Sequence, residues 1–447
     1  MTRASLADWI CGLSFDALPR RVRSRAKLAV FDACGTALAG THHPATQHVR
    51  QLIADTESAP QVRVIGDPSL RVSQLDAAWL LGTMTDAYLY GNVHVPSGGH
   101  FASVLLPVLL AVSEVRQISG PEALTAYVAG YEVAARLASA AGSDRQNWPV
   151  TAIAGTMGAA AAAGRLLGLS PEQLRHAFVM AAGETAGGDD SEIQGGHAAR
   201  RGLLCALQGG QDFNSGDVKA GEELTAWQTL FGDGSIQSDR ILTRWGDDLA
   251  LDRAELHFKL YPTDVAAHGF IDAALALYQQ GIEPDQVRRL VCRVSPSAAP
   301  VLSFAPANPP QAQRSLPYAV AVALCDGRVG LAQFNPSRVS ADDVQALMGR
   351  IEVEQGASFE APDGSDAPAV LRVDLNDGRS LVETVEHARG SPQRPPTRPE
   401  FEAKFRQCTA AVLSTERTLM AARCLYQLDT LPDLRTLVDI LSTAPRS

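Results

Sequence analysis

The stretch AGTMGAAAAAGRLLGL (154–169) decides the fold that this sequence predicts. It consists mainly of alanine, glycine and leucine, a composition that favours a helix with small side chains on its surface. Because small side chains let neighbouring backbones come close, we predict that this helix lies at the centre of a helical bundle. The flanking segments SGPE (119–122) and SPEQ (170–173) have the spacing of a capping box and predict two further helix starts.

The pattern is helical from about residue 5 to 280 and then changes. RRLVCRVS (288–295), RIEVE (350–354) and VLRVDLNDGRSLVETVEH (370–387) predict short strands, the last with a hairpin turn at NDG (376–378). LPYAVAVALCDG (316–327) and SADDVQALMGR (340–350) predict helices between them. We therefore predict a mainly α protein: a discontinuous all-α domain over 1–275 and 396–447, and a smaller α+β lid domain over 276–395.

Composition narrows the class of protein. The chain has 447 residues, 46% hydrophobic and 20% charged, and a net charge of −10, which argues against nucleic acid or an anionic membrane as a partner. Seven scattered cysteines without a C-x-x-C pair predict reduced thiols, and no secretory signal or membrane span is evident, so we expect a cytoplasmic protein. The dinucleotide, P-loop and G-x-S-x-G motifs are missing from the sequence, which argues against nicotinamide, ATP and serine-hydrolase chemistry.

Several segments resemble the MmgE/PrpD family in the family's order, from about residue 25 to 410. They are FDACGTALAGT (31–41), GTMTDAYLYGNVH (82–94), SGGHFASVLLPVLLA (97–111), AGTMGAAAAAGRLLGLS (154–170), KLYPTDVAAHGFIDAALAL (259–277), QRSLPYAVAVALCDGRVGLAQF (313–334), VEHARGSPQRPP (385–396) and FEAKF (401–405). The family includes dehydratases, decarboxylases and epimerases that move a proton at carbon beside a carboxylate. The resemblance implies the two-domain fold with a cleft between the domains, a homodimer, a small-molecule substrate, and neither a metal nor another cofactor.

The resemblance also implies the site residues. Proton transfer at carbon needs an acid–base pair and cations that stabilise the developing negative charge. We expect His100 and His268 to be that pair, supported by Lys259 and Tyr261. The residues expected to bind substrate are His94, Tyr90, Asn92, Trp148, Asp189, Asp190, Ser191, Glu192 and Asp264. Each also has a plainer interpretation, as a core or capping residue or part of a solvated loop.

The sequence departs from the family's pattern at several of these positions. Where the family typically has acids in its first site segment, this chain has Leu89, Gly91 and Asn92, and the histidine that begins the segment is Asp86. Two further histidines and a lysine are replaced by Pro149, Gln194 and Ser191, while Asp189, Asp190, Glu192 and Asp264 add negative charge. Clustered carboxylates repel a polyanion, so we expect a substrate less anionic than citrate.

The function that we expect is therefore a cofactor-independent lyase or isomerase acting on such a molecule in specialised biosynthesis. Two alternatives stay open. One is a conventional activity, like 2-methylcitrate dehydratase or an epimerase, on a dicarboxylate or tricarboxylate. The other is a non-catalytic relative that kept the fold as a binding module, which the replaced site residues would also fit.

Overall fold

The computed structural model describes residues 5–140, 149–185, 194–211, 218, 245–246, 248–253, 255–294, 302, 304–356 and 368–442. The chain divides into two compact units. The helical unit comprises residues 1–87, 91–257 and 402–447, and the α+β unit comprises 88–90 and 258–401. The predicted fold class, mainly α with a smaller α+β part, is confirmed.

In the part of the helical unit that the structure describes, nine α-helices come before residue 258, and the C-terminal segment of the chain returns to this unit with further helices. Its helices are α1 (Leu6–Gly12), α2 (Arg20–Ala39), α3 (Pro44–Asp55), α4 (Gln74–Asp86), α5 (Ala102–Val115), α6 (Gly120–Ala140), α7 (Val150–Leu167), α8 (Pro171–Gly183) and α9 (Gln194–Gly209). Two short antiparallel pairs accompany them, which the helical pattern predicted for residues 5–280 does not include: β1 (Val62–Val64) with β2 (Asp67–Val72), and β3 (Val93–His94) with β4 (Leu256–His257).

The alanine- and glycine-rich helix α7 lies inside this bundle, as the sequence predicts. It packs against α5, α6, α8 and α9, and most of its residues are buried. A Cβ atom added at Gly158 would come within 2.7 Å of the Gly130 carbonyl oxygen on α6. Only glycine therefore permits this approach of the two helix backbones.

Helix α7 is also the one described helix whose length and composition would allow it to cross a membrane. Of its 18 residues, however, 83% lie buried inside the protein. Helices of this kind occur in the cores of globular proteins, because a helix that is apolar on all sides is buried on all sides.

The C-terminal segment explains why the helical unit is discontinuous in sequence. It contains α16 (Thr415–Tyr426), α17 (Arg435–Leu441) and most of α15 (Arg398–Thr409). The Phe31 ring on α2 lies 4.7 Å from Phe405 and 4.9 Å from Tyr426, between ring centroids. These aromatic contacts hold the last helices against the second helix of the chain.

The α+β unit is built on a four-stranded mixed sheet in the order β6-β5-β7-β8. Its strands are β5 (Val287–Val294), β6 (Ile351–Gln355), β7 (Ala369–Leu375) and β8 (Ser380–Val385), with β5 and β6 parallel and the other pairs antiparallel. Its helices are α10 (His268–Gln279), α11 (Pro309–Arg314), α12 (Leu316–Asp326), α13 (Pro336–Val339) and α14 (Asp342–Met348). The predicted hairpin is present, and Gly378 in its turn has a φ of +90°, a conformation that favours glycine.

This unit begins at residue 258, whereas the sequence predicts a boundary at 276. The reason lies in α10, which packs against α12, β7 and β8. Its apolar face, including Ile271, Ala274 and Leu277, is part of the core that covers the sheet. The helical periodicity of this segment is like that of the preceding helices, so the sequence pattern gives no sign of the change of unit.

Candidate active site

The α+β unit holds three of the four predicted catalytic residues in one buried segment. Lys259 and Tyr261 precede α10, and His268 is its first residue. Lys259 is 2% exposed, Tyr261 3% and His268 0%. The rings of Tyr261 and His268 meet edge-on, with 5.0 Å between their centroids. A base, a hydroxyl group and a cation are thus all removed from bulk water within ten residues of chain.

The position of His268 follows from the turn before it. Residues Val265–Ala267 form a single 3-10 turn, and the Asp264 carboxylate accepts a hydrogen bond of 3.0 Å from the Ala266 N–H. This cap satisfies one of the amide donors that a helix start leaves without a partner in the helix. Asp264 is half-buried and has this structural contact, and its part in substrate binding stays a prediction.

The short segment Tyr88–Tyr90 belongs to the same unit, and three hydrogen bonds hold it there. Gln313 Nε2 donates to the Tyr88 carbonyl oxygen over 2.6 Å, and Lys259 Nζ donates to that of Leu89 over 3.2 Å. The Tyr90 hydroxyl donates over 3.1 Å to the carbonyl oxygen of the residue after Lys259. Leu89 has a φ of +49°, which is strained for a residue with a side chain. The buried lysine thus contacts the backbone at the most strained point of the segment.

The structure adds two residues that the sequence does not single out, Asp272 and Arg389. Asp272 lies one helical turn after His268 on α10 and is 8% exposed. Its carboxylate accepts hydrogen bonds from the Tyr261 hydroxyl, from Arg389 Nε over 2.9 Å and from the Arg389 backbone N–H over 2.7 Å. Arg389 Nη2 also donates to the Tyr261 hydroxyl oxygen. The i, i+4 spacing of His268 and Asp272 is the one signal in the sequence for this cluster.

The cluster fixes the protonation of its tyrosine. Burial raises the pKa of the Tyr261 hydroxyl far above its ordinary value, and the charge of Asp272 raises it further. The charge of Arg389 opposes this rise without cancelling it. Tyr261 therefore stays protonated at neutral pH and can serve only as a hydrogen-bond donor and acceptor, or as an acid.

In the helical unit, both ring nitrogens of His94 have partners. Nδ1 lies 2.7 Å from the Ser97 Oγ and Nε2 lies 3.2 Å from Glu255 Oε2, and the ring is fully buried. Burial alone would raise the pKa of Glu255, but the hydrogen bond with His94 and the charge of Arg253 outweigh it, and the pKa lies below its ordinary value. His94 therefore fastens the turn before α5 to Glu255, the residue just before β4, and its contact with substrate stays a prediction.

Asn92 completes a buried ion pair in the same unit. Lys404 Nζ lies 2.5 Å from Asp32 Oδ1, and Asn92 Nδ2 donates over 3.1 Å to the other oxygen of that carboxylate. Asn92 is 1% exposed and Asp32 is 3% exposed. Because a buried charge is costly unless it is paired and hydrogen-bonded, the amide and the ammonium together make Asp32 tolerable in the interior.

His100, the fourth predicted catalytic residue, lies at the start of α5 and is half-buried. Its backbone N–H donates over 3.0 Å to the Thr151 hydroxyl at the start of α7, and its carbonyl oxygen accepts from the Ser103 hydroxyl over 2.7 Å. These contacts fix the backbone of His100 against the central helix. Since His100 belongs to the helical unit and His268 to the α+β unit, their action as a pair stays a prediction.

Five of the residues predicted to bind substrate lie outside the described part of the chain. They are Trp148, Asp189, Asp190, Ser191 and Glu192. Among the residues that are described, no three His, Cys, Asp or Glu side chains form a group that could hold a metal ion.

Comparison with known families covers nearly the whole chain. Residues 4–236 match the MmgE/PrpD N-terminal domain, and residues 261–427 match the MmgE/PrpD C-terminal domain.

The chain belongs to the MmgE/PrpD family.

Curated relatives of this MmgE/PrpD protein align with it along almost its full length. The cis-aconitate decarboxylase-like protein oryM of Aspergillus oryzae is 28% identical, over 98% of this chain and 97% of that protein. The cis-aconitate decarboxylases of Aspergillus terreus and Homo sapiens are each 26% identical, over 99% and 98% of this chain and 96% and 94% of their own lengths. Decarboxylases are lyases, and together with the family assignment they identify the chain as an enzyme of lyase type.

Two of the positions at which this MmgE/PrpD protein departs from the family's pattern have local structural partners. Asn92 pairs with Asp32, as described above. Asp86, at the end of α4, accepts a hydrogen bond of 3.1 Å from the Gly195 N–H in the first turn of α9. An acidic side chain is favoured at a helix N-terminus, where amide groups lack partners and the helix dipole is positive.

Proposed function

We propose that this MmgE/PrpD enzyme is a cofactor-independent lyase that moves a proton at a carbon atom beside a carboxylate. The observation that carries the proposal is the buried segment with Lys259, Tyr261 and His268. Proton transfer at such a carbon needs a base held out of water and a positive charge near the oxygen atoms that become negative. The imidazole of His268 provides the first and the ammonium group of Lys259 provides the second.

In this proposal His100 is the second acid–base group. It would return a proton to the substrate or to the group that leaves. The contacts that fix its backbone against Thr151 and Ser103 favour a defined position for its ring. The residues His94, Tyr90, Asn92, Trp148, Asp189, Asp190, Ser191, Glu192 and Asp264 remain our candidates for binding the rest of the substrate.

The charges around His268 favour a substrate with few carboxylates. Three cations (Lys259, Arg389 and Arg394) and three carboxylates (Asp264, Asp272 and Glu400) lie in this segment or next to it, so its positive charges are matched by negative ones. Arg389 is also engaged by two of these carboxylates, at 2.9 Å from Asp272 and 3.4 Å from Glu400. A segment without surplus positive charge does not favour a polyanion, so we propose a substrate less anionic than a tricarboxylate, made or used in specialised biosynthesis.

The second candidate is a conventional activity on a dicarboxylate or tricarboxylate. It is supported by the alignment with cis-aconitate decarboxylases along 98–99% of this chain. In that case, additional cations would have to come from parts of the chain other than the cluster around Asp272.

The test is proton exchange followed by NMR in D2O. The enzyme is incubated with small acids that carry one, two or three carboxylates, cis-aconitate included, and exchange at carbon and product formation are recorded. We expect the fastest turnover with a monocarboxylate, and a loss of about 100-fold or more in kcat for His268→Ala and for His100→Ala. The exposed residues His387 and His48 provide matched controls in the two units, since their replacement by alanine should leave kcat unchanged.

Two outcomes would contradict the proposal. Turnover of cis-aconitate at ordinary enzymatic rates, with none of the monocarboxylates, would favour the second candidate. Full activity of a folded His268→Ala variant would remove His268 from the reaction and with it the argument from the buried segment.

We also propose that the enzyme acts as a homodimer in the cytoplasm. The acidic composition and the free cysteines are compatible with that compartment. Light scattering on the purified protein checks the assembly, since the chain mass is 47.4 kDa and a dimer has twice that value.

A further inference from the structure

We infer that Asp272 and Arg389 are positioning residues, which hold Tyr261 and through it the imidazole of His268 in the orientation that proton transfer needs. The inference rests on the proposed role of His268 as the group that moves the proton. It goes beyond that role, because it assigns a task to two residues outside the buried segment and a non-acidic task to Tyr261.

The first argument concerns the direction of the hydrogen bonds. A guanidinium group only donates and an ionised carboxylate only accepts. Arg389 Nη2 donates to the Tyr261 hydroxyl oxygen, so the single hydroxyl proton of Tyr261 must point to another acceptor, which is Asp272. Tyr261 cannot give this proton to a substrate while the chain of hydrogen bonds is intact. Its hydroxyl group therefore works as an anchor.

The second argument concerns what the anchored ring touches. The edge-on contact with His268, at 5.0 Å between centroids, is made by a tyrosine that is itself 3% exposed. The guanidinium carbon of Arg389 lies 5.6 Å from the centroid of the same tyrosine ring, within the range of a cation–π contact. Tyr261 is thus held at its hydroxyl group and at its ring, and it limits the space into which the His268 ring can turn.

The third argument concerns the carboxylate. Asp272 follows His268 by one turn on α10 and receives three hydrogen bonds from Tyr261 and Arg389. Arg394 Nη1 adds a charge at 3.9 Å. Because one of these bonds comes from the Arg389 backbone, the loop that carries Arg389 is fastened to the helix that carries His268. A displacement of about 1 Å at a reacting group can cost about 100-fold in rate, so such fastening has a measurable effect on kcat.

The experiment measures kcat and KM for Arg389→Lys, Asp272→Asn, Tyr261→Phe and the Asp272→Asn/Arg389→Lys double variant. Arg389→Lys keeps the charge and loses the fork that reaches both partners. We expect each single variant to lower kcat about 10-fold, with KM changed by less than about 2-fold. The kcat of the double variant should be no lower than that of the less active of the two single variants it combines. Arg379→Lys is the matched control, because Arg379 pairs with Asp377 at the exposed turn of the same unit.

Two results would overturn the inference. A loss of kcat for Tyr261→Phe as large as that for His268→Ala would make Tyr261 a proton donor. If the losses of kcat in Asp272→Asn and Arg389→Lys multiply in the double variant, Asp272 and Arg389 act independently. If Asp272→Asn does not fold, Arg389→Lys and Tyr261→Phe decide the question, since wild-type kcat in both would also overturn it. Failure of the proposed function is distinguishable, because it would leave His268→Ala active whatever these variants do.

Discussion

Restoring an acid at position 92 should destabilise the helical unit. Asn92→Asp changes one amide to a carboxyl group of almost the same shape, so packing is unchanged. The new carboxylate would lie about 3.1 Å from the Asp32 carboxylate, where the Asn92 amide now donates a hydrogen bond. Among the described residues, Lys404 would then be the one cation that pairs with two buried carboxylates.

The magnitude follows from the distance and the burial. Two like charges about 3.1 Å apart repel by about 5 kcal/mol at an effective dielectric constant of about 20. The new aspartic acid can escape this repulsion by taking up a proton, which costs about 4 kcal/mol at pH 7 for an ordinary pKa of about 3.9. Protonation is the cheaper course, so we expect a loss of up to about 4 kcal/mol in the free energy of unfolding at pH 7.

The sign of the pH dependence follows from the same reasoning. The pKa of the new carboxyl group would be higher in the folded than in the unfolded protein, so the folded state loses stability as the pH rises above the unfolded value. The deficit should fall to about 1.5 kcal/mol at pH 5, where protonation costs less. Urea unfolding followed by tryptophan fluorescence measures it, because the three tryptophans that the structure describes, Trp9, Trp79 and Trp245, all lie in the helical unit.

The control is Gln117→Glu, the same amide-to-acid change at an exposed residue of the helical unit, where the change should stay within about 0.5 kcal/mol. An Asn92→Asp protein as stable as the wild type at pH 8 would refute the reasoning. An equal deficit at pH 5 and pH 8 would also refute it, since the loss would then not come from charge.

Three further changes, one of them with a matched control, test the interior of the helical unit by the same fluorescence signal. Gly158→Ala should lower the free energy of unfolding by about 2 kcal/mol, because its methyl group would press on the Gly130 carbonyl oxygen. The matched control is Gly183→Ala, which has open space around the added methyl group and should be neutral or slightly stabilising. Glu255→Gln should lower stability at pH 7 and approach the wild type as the pH falls below about 4.5, because the lowered pKa of Glu255 stabilises the fold only above that range. Tyr131→Phe should raise the free energy of unfolding by about 1 kcal/mol, since its buried hydroxyl group has no hydrogen-bond partner among the described residues; a lower midpoint would show that the hydroxyl group has one.

The elements that the sequence predicts well are those whose cause lies within a few residues. The capping box at Ser170 forms with Gln173, three residues away, and the hairpin between β7 and β8 turns at Gly378. In β7, Leu371 and Val373 are buried while Arg372 between them is partly exposed, as strand periodicity requires. Such signals are local, so one sequence is enough to read them.

The site is predicted only in part, for a different reason. His268, Lys259 and Tyr261 lie within ten residues, and the family pattern marks all three. Arg389 comes to Tyr261 from 128 residues away, and its position in the sequence is that of an ordinary residue in a proline-rich link. Nothing in the local pattern distinguishes it from the other arginines of that link.

The sequence by itself determined the capped helices, the strands and hairpin of the α+β unit, and the family, because capping, periodicity and motif spacing act over short stretches of chain. Only the tertiary structure decided that Lys404 pairs with Asp32 across 372 residues, that Asn92 completes this pair, and that Asp272 and Arg389 enclose Tyr261. These choices depend on which buried charges the fold brings within hydrogen-bonding distance. The cost of leaving a buried charge unpaired then dictates its partner.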